Sequence, residues 1–341
     1  MSAPGFVVTA ADATVRDAGS RAAGTRRRRR VELREAVLLG ATVVVALLVG
    51  SVDHGFLQEQ NLRFMMLNSV VLSLVAIGQT LVIATRGVDL SVAPVLGLSA
   101  IVTGLLGEHG AIGLWGAVPI AAGIGLGLGL LNGLLVARLA IPPIITTLGT
   151  YSLYGGLVFL YSDGTQVDSV PASFAALGNG ALPLLPVPNA VAVLIVVAAA
   201  SWFLLNHTRF GRAVLAVGNN DAAAFAAGIP VAWVKLRVYA LSGLLAALSG
   251  LMFVCYTGSA TVTTGTGDHM ELQSIAVALI GGTAISGGRG SVVGTVLGSL
   301  FLGVVLTALV FLHVPPIWYS AGEGLMILVA VSAGRRRRGG A

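Results

Sequence analysis

The sequence predicts an all-α membrane protein, a polytopic bundle of about ten transmembrane helices with both termini on the cytoplasmic side. Three observations predict it. The 341 residues are 56% hydrophobic and only 10% charged, with a mean hydropathy of +0.91. A soluble domain carries about 25% charged residues, and no soluble core of this length could bury so much apolar sequence. The apolar segments run for about 20 residues without two-residue alternation, which selects helices over a barrel. The arginines, finally, fall on alternate connections between those segments.

Residues 1–35 form a basic tail that contains "RRRRR", Arg26 to Arg30. The first apolar segment, 36–52, ends in "VGSVDHG", which lacks the small-residue pattern of a cleavage site, so an uncleaved helix held by anionic headgroups is expected. Further spans are expected at 64–84, 90–107, 114–136, 143–161, 189–205, 237–256, 271–286, 291–312 and 317–333. The connection at 85–89, "TRGVD", is too short for a loop and reads as a tight break between two helices, with Asp89 placed to cap the second and Arg86 placed to pair with it. Segment 271–286 runs into "GGTAISGGRG" and is expected to be a short or broken helix, tolerated only where protein or a cavity surrounds it. Region 163–188 has four prolines and three glycines and reads as an external loop rather than a span. The chain closes with a basic tail, 334–341, carrying "RRRR" at Arg335 to Arg338. The transmembrane domain is therefore 36–333, with one long cytoplasmic loop at 206–236.

Orientation follows from charge. With the N-terminus inside, 19 of the 20 Lys and Arg residues lie on cytoplasmic segments, and only Arg63 lies at an external end. The external connections carry Asp53, Glu59, Glu108, Asp163, Asp168, Asp268 and Glu271 instead. That is the positive-inside rule met at every turn. Small residues are placed for close helix contact, in Gly-x-x-x-Gly series at Gly125/Gly129/Gly133 and Gly290/Gly294/Gly298. "LSLVAIGQTLVIATRG" faintly echoes "LQSIAVALIGGTAISGGRG", as an internal duplication would.

Several function classes are disfavoured. The sole lysine, Lys235, is followed by Leu236, so no phosphate-binding Gly-x-x-x-x-Gly-Lys-Ser/Thr loop exists, and "GIGLGLGLLNG" reads as a packing face. No hydrolase or metalloprotease motif occurs, and the scattered histidines make no metal-ligand pair, so neither an enzyme, a metal site nor a resident cofactor is expected. The single cysteine, Cys255, reads as a buried apolar residue. The basic runs lack a folded basic domain, so nucleic acid is not an expected partner. Asp89 and Glu323 are the only acidic candidates inside spans, too few for a typical proton relay. What remains is a transport pathway whose energy comes from elsewhere. Asp89, Ser91, Asn68, Gln79, Asn132, Thr146, Thr147 and Gln273 are the polar residues that would line it or bond neighbouring helices.

Within 206–236, Asn219 and Asn220 precede Asp221, Ala222 and Ala223, an Asn or Asp cap ahead of strong helix formers. Gly228 ends that helix and Pro230 prevents its continuation. A helix of under two turns on the cytoplasmic face is either parked on the membrane or a docking knob for a soluble partner.

Four stretches, "GVDLSVAPVLGLSA", "LNGLLVARLAIPPIITTLGTYSLYGG", "FGRAVLAVGNNDAAAFAAGIPVAWVKL" and "ALIGGTAISGGRGSVVGTVLGSL", resemble in order and spacing the permease subunit of ATP-binding-cassette importers of the ribose, rhamnose and autoinducer-2 type, over about 61–331. Ala93-Pro94 departs from the Gly-Ser of many relatives, and Glu323 stands where many have a cation. The resemblance implies that Asp221 to Gly228, preceded by Asn219 and Asn220, form a coupling helix seated on a cytoplasmic ATPase subunit, that ATP is bound by that partner, that a second permease chain, the same or related, completes the pathway, and that a periplasmic or extracellular binding protein delivers a sugar or sugar-like solute from outside to this subunit in the bacterial inner membrane. A self-sufficient ion-coupled secondary transporter is the alternative, and a membrane scaffold without a solute path is a third reading.

Overall fold

The computed structural model describes residues 33–182, 185–315 and 317–336. Most of each basic tail lies outside the described residues. Every apolar segment read from the sequence is helical: α1 Leu33–Val52, α2 Glu59–Ala84, α3 Val92–Glu108, α4 Leu114–Ala137, α5 Pro143–Ser162, α7 Asn189–His207, α10 Val231–Thr257, α11 Met270–Gly281, α12 Val292–Phe311 and α13 Ile317–Arg336. Among the described residues, seven helices (α1, α2, α4, α5, α7, α10 and α12) are long and apolar enough to cross a membrane, and α3 and α11 are shorter apolar helices. The protein is a polytopic helical membrane protein.

Three helices, α2, α3 and α10, form the axis, and α3 is buried along nearly its whole length. The apolar window of α2 is 89% buried and that of α10 is 78% buried, against 11% for α1 and 22% for α7. α1, α5 and α7 turn Leu47, Ile144, Ile195 and Phe203 outward, as helices that meet lipid on one side do. α4 lies on α10 through the first glycine series. A Cβ on Gly125 or Gly129 would collide with the carbonyls of Gly243 or Tyr239, so only glycine admits this approach. Cys255 is buried near the end of α10.

One end of the bundle is basic: Arg86, Arg138, Arg209, Lys235, Arg237 and Arg289 lie at the helix ends there. Asp53, Glu59, Glu108, Asp163 and Asp268 mark the opposite, acidic end. α2 and α11 lie side by side, and each stops at a tight turn at the basic end before the next helix begins. The turns touch through the Gly288 N–H, which donates to the Ala84 carbonyl at 2.9 Å. Thr80 and Thr295 hydroxyls meet at 2.8 Å, and Ser73 bonds Ser299. α11 is short, as "GGTAISGGRG" predicts: Gly282 has φ +107°, which halts the helix.

Two expectations need correction. The loop expected at 206–236 is nearly all helix: α7 runs to His207, α8 spans Arg209–Asn219, α9 spans Asp221–Ala226, and α10 begins at Val231. α8 escaped the reading because its charged first turn masks an amphipathic helix capped by Thr208, whose hydroxyl accepts from Gly211 N–H. Region 163–188 holds no span, yet it is partly ordered, with α6 at Ala172–Asn179 and an antiparallel ribbon of β1 Ala181–Leu182 and β2 Leu185–Pro188.

Candidate functional site

Three places gather the polar chemistry, one at the acidic end and two toward the basic end.

The first is a cavity of about 490 Å³ at the acidic end, between α2, the end of α10, the start of α11, α12 and α13. Asn68 and Gln273 line it, with Tyr256, Asp268, His269 and Glu323. The side chains are braced in pairs. Tyr256 donates to Asn68 Oδ1 at 3.1 Å, and Gln273 Nε2 donates to Glu323 Oε1 at 2.8 Å and to the Asp268 carbonyl at 2.9 Å. Burial pushes the Asp268 carboxyl above its ordinary range, against the pull of the neighbouring His269. Among the described residues no lysine or arginine lines this cavity, while Phe64 and Phe253 give it apolar faces. Ser69, only 2% exposed, has a hydroxyl without a partner in the wall. This lining suits a neutral hydroxyl-bearing molecule, since the amides, the phenol and the carboxylates can each trade a hydrogen bond with a hydroxyl while the phenylalanine faces pack on its carbon frame.

The second is a buried network at the start of α3. Asp89 is 1% exposed. Its Oδ1 accepts from the Ser91 N–H at 3.1 Å and the Ser91 hydroxyl at 2.7 Å, and its Oδ2 accepts from Ser242 at 2.9 Å. Asn132 Nδ2 donates to Ser91 Oγ at 2.7 Å, and Tyr154 donates to the Leu128 carbonyl at 2.9 Å and to Asn132 Oδ1 at 3.3 Å. Thr147 donates to the carbonyls of Val88 at 3.2 Å and Pro143 at 3.0 Å. The network ties the α2–α3 break to α4, α5 and α10. The capping expected of Asp89 is partly found: it accepts from Ser91 N–H, while Ser91 occupies the cap position of α3. The pairing expected with Arg86 is absent among the described contacts. Arg86 Nε instead donates to the Ser286 carbonyl at 3.0 Å, and its Nη2 donates to the Asn219 carbonyl.

The third is α9. Asn220 caps it, accepting from Ala223 N–H at 3.0 Å, and Asp221 pairs with Lys235 at 2.5 Å. Gly228, at φ +80°, turns the chain out of the helix. Ala222, Ala223 and Gly228 are exposed, only Ala224 is buried, and Phe225 stands 75% exposed at the tip.

The predicted residues thus divide. Asn68 and Gln273 share the cavity; Asp89, Ser91, Asn132 and Thr147 share the network; Asn219 to Gly228 form the surface knob. Gln79 and Thr146 join neither group. Gln79 is fully buried with both amide atoms unpartnered, and Thr146 Oγ1 is likewise unpartnered. Glu271, expected on an external connection, is instead buried in the first turn of α11. Sequence reasoning missed Phe225, Tyr154, Ser242 and Tyr256. Phe225 alone carried a signal, as the one bulky apolar residue in a run of alanines.

Residues 61–331 match the family described as branched-chain amino acid transport system, permease component. The chain is 37% identical over 311 residues to the autoinducer 2 import system permease protein LsrC of Escherichia coli K12/DH10B, covering 89% of this chain and 88% of that protein. It is 34% identical over 305 residues to the protein of the same name from Yersinia pseudotuberculosis serotype O:1b, covering 89% and 86%. No solved structure matches.

Proposed function

The chain belongs to this family of transport-system permease components, and from that premise we propose that it is the transmembrane pathway subunit of an ATP-driven importer for a sugar or sugar-like solute, with autoinducer 2, the solute in its relatives' name, as the first candidate. The importer works in the bacterial inner membrane. ATP is hydrolysed on separate subunits, a second permease chain completes the path, and a solute-binding protein delivers to the acidic, external end. Both termini lie in the cytoplasm, as the arginine asymmetry supports.

The observation that carries the coupling half of this reading is α9: a capped helix of six residues, fixed at its base by the Asp221–Lys235 pair, that presents Phe225 to solvent at the basic end. An aromatic anchor of that exposure is the kind of side chain that fills a pocket on a partner. The cavity supports the solute class, because its amides and carboxylates bind hydroxyls and, among the described residues, no lysine or arginine lines it to hold a phosphorylated form.

Co-purification with the cognate ATP-binding subunit tests the reading. Wild-type protein should carry that subunit through detergent extraction. Phe225→Asp should lose it while inserting normally in the membrane, because burying an unpaired charge costs several kcal/mol. Full association by the Phe225→Asp variant would remove the docking role of α9.

A further inference from the structure

Three connections converge at the basic end, and one side chain joins them. Arg86 stands in the α2–α3 turn at φ +65°. That is a region L residues avoid and glycine occupies without strain. Its side chain supplies a reason for an arginine there. Nε donates to the Ser286 carbonyl at 3.0 Å, in the turn between α11 and α12, and Nη2 donates to the carbonyl of Asn219. Asn219 is the last residue of α8, and the next residue, Asn220, caps α9.

The backbone around this clamp is packed too closely for side chains. A Cβ on Gly218 would collide with the Ala84 carbonyl, and one on Gly287 would collide with the Arg86 stem and the Gly218 carbonyl. Gly288 N–H donates to the Ala84 carbonyl at 2.9 Å. α9, by contrast, is held lightly. Apart from Ala224 and the Lys235 pair it stands clear, and a cavity of about 220 Å³ lined by Arg86, Asp221, Lys235 and Tyr239 lies at its base.

We propose that Arg86 is a positioning residue that transmits displacement of α9 to the ends of both broken helix pairs, α2–α3 and α11–α12. A guanidinium is a planar fork of donors and can hold two carbonyls at once. Moving the Asn219 carbonyl therefore moves Arg86, and Arg86 carries the Ser286 turn and the end of α2 with it. Asp89 lies three residues beyond Arg86, so the same displacement reaches the network that ties α3 to α10. The inference rests on the reading that α9 docks on the ATP-binding subunit, and it adds the route by which docking reaches the pathway.

The test uses the assembled complex with its ATP-binding subunits and compares wild type with Arg86→Gly and Arg86→Lys. Arg86→Gly removes the clamp and relieves the positive-φ conformation, so the fold is expected to be kept. Two readouts are taken: amide hydrogen exchange with and without ATP, and autoinducer 2 imported per ATP hydrolysed. In the wild type, ATP should alter exchange at 208–228, 84–89 and 284–288 together. In Arg86→Gly the change should be confined to 208–228, with association intact and solute moved per ATP lowered by about tenfold, within the coupling that single residues carry. Arg86→Lys should recover part of both. ATP-linked exchange at 84–89 that survives in Arg86→Gly, or that is missing in the wild type, overturns the proposal; so does failure of Arg86→Gly to assemble, which would make the residue structural. Loss of the ATP-binding subunit from Phe225→Asp reports separately on the docking itself.

Discussion

Asp89 and Ser242 meet at 2.9 Å, although 153 residues separate them, and their hydrogen bond joins the α2–α3 break to the middle of α10. A carboxylate in that place holds two serines on two elements at once. Replacement by alanine leaves the buried Ser242 hydroxyl without its acceptor and the Ser91 hydroxyl with the Asn132 amide alone, at about 1–3 kcal/mol for a buried group left unsatisfied. Asparagine keeps one oxygen for Ser91, and the Ser242 hydroxyl can rotate to accept from its amide. Asp89→Asn should therefore keep assembly and most uptake, and Asp89→Ala should lower both, as thermal stability in detergent and transport in vesicles will show. An asparagine variant that assembles fully and transports nothing would assign the charge itself to the pathway.

Gln79 presents the opposite case. Its amide is fully buried with no partner on either atom. Exchanging an orphaned polar group for an apolar one of similar shape is neutral or stabilising. Gln79→Met should melt at the wild-type temperature or above it. A loss of more than about 1 kcal/mol would show that the amide is bonded in the assembled protein.

The α4–α10 contact has no room to spare. A Cβ on Gly129 would strike the Tyr239 carbonyl and the Ala240 Cα. Gly129→Leu should destabilise by about 1–3 kcal/mol or more through overpacking, whereas Gly127→Leu, where nothing lies within 4 Å, should be tolerated. Thermal melts of the two variants side by side check this.

Much of this fold was legible because helices in lipid announce themselves. Long apolar runs, arginines on alternate turns and glycines at fourth positions are local signals, and each apolar segment proved helical. The α9 cap was legible for the same reason: Asn220 and Gly228 act within a few residues of themselves. The networks were not. Nothing near Asp89 in sequence points to Ser242, and nothing near Glu323 points to Gln273, because those partners are chosen by packing across the bundle. Arg86 looked like a partner for Asp89 by proximity along the chain, but its left-handed backbone sends it toward two carbonyls that only the folded turns bring near.

Orientation makes its own prediction. In a Cys255→Ser background, single cysteines replace Ser169, on the acidic-end loop, and Ser332, near the end of α13. An impermeant thiol reagent on intact cells should label the first and spare the second. The reverse pattern would invert the protein in the membrane.

The source of the driving force separates an ATP-powered permease from a secondary transporter. Proteoliposomes containing this permease, its ATP-binding subunits and the solute-binding protein should accumulate autoinducer 2 or a related sugar only when ATP is supplied on the side of α9, and a proton or sodium gradient should not replace it. Uptake by the permease chain alone, driven by an ion gradient and indifferent to ATP, would contradict the account and make the protein a secondary transporter.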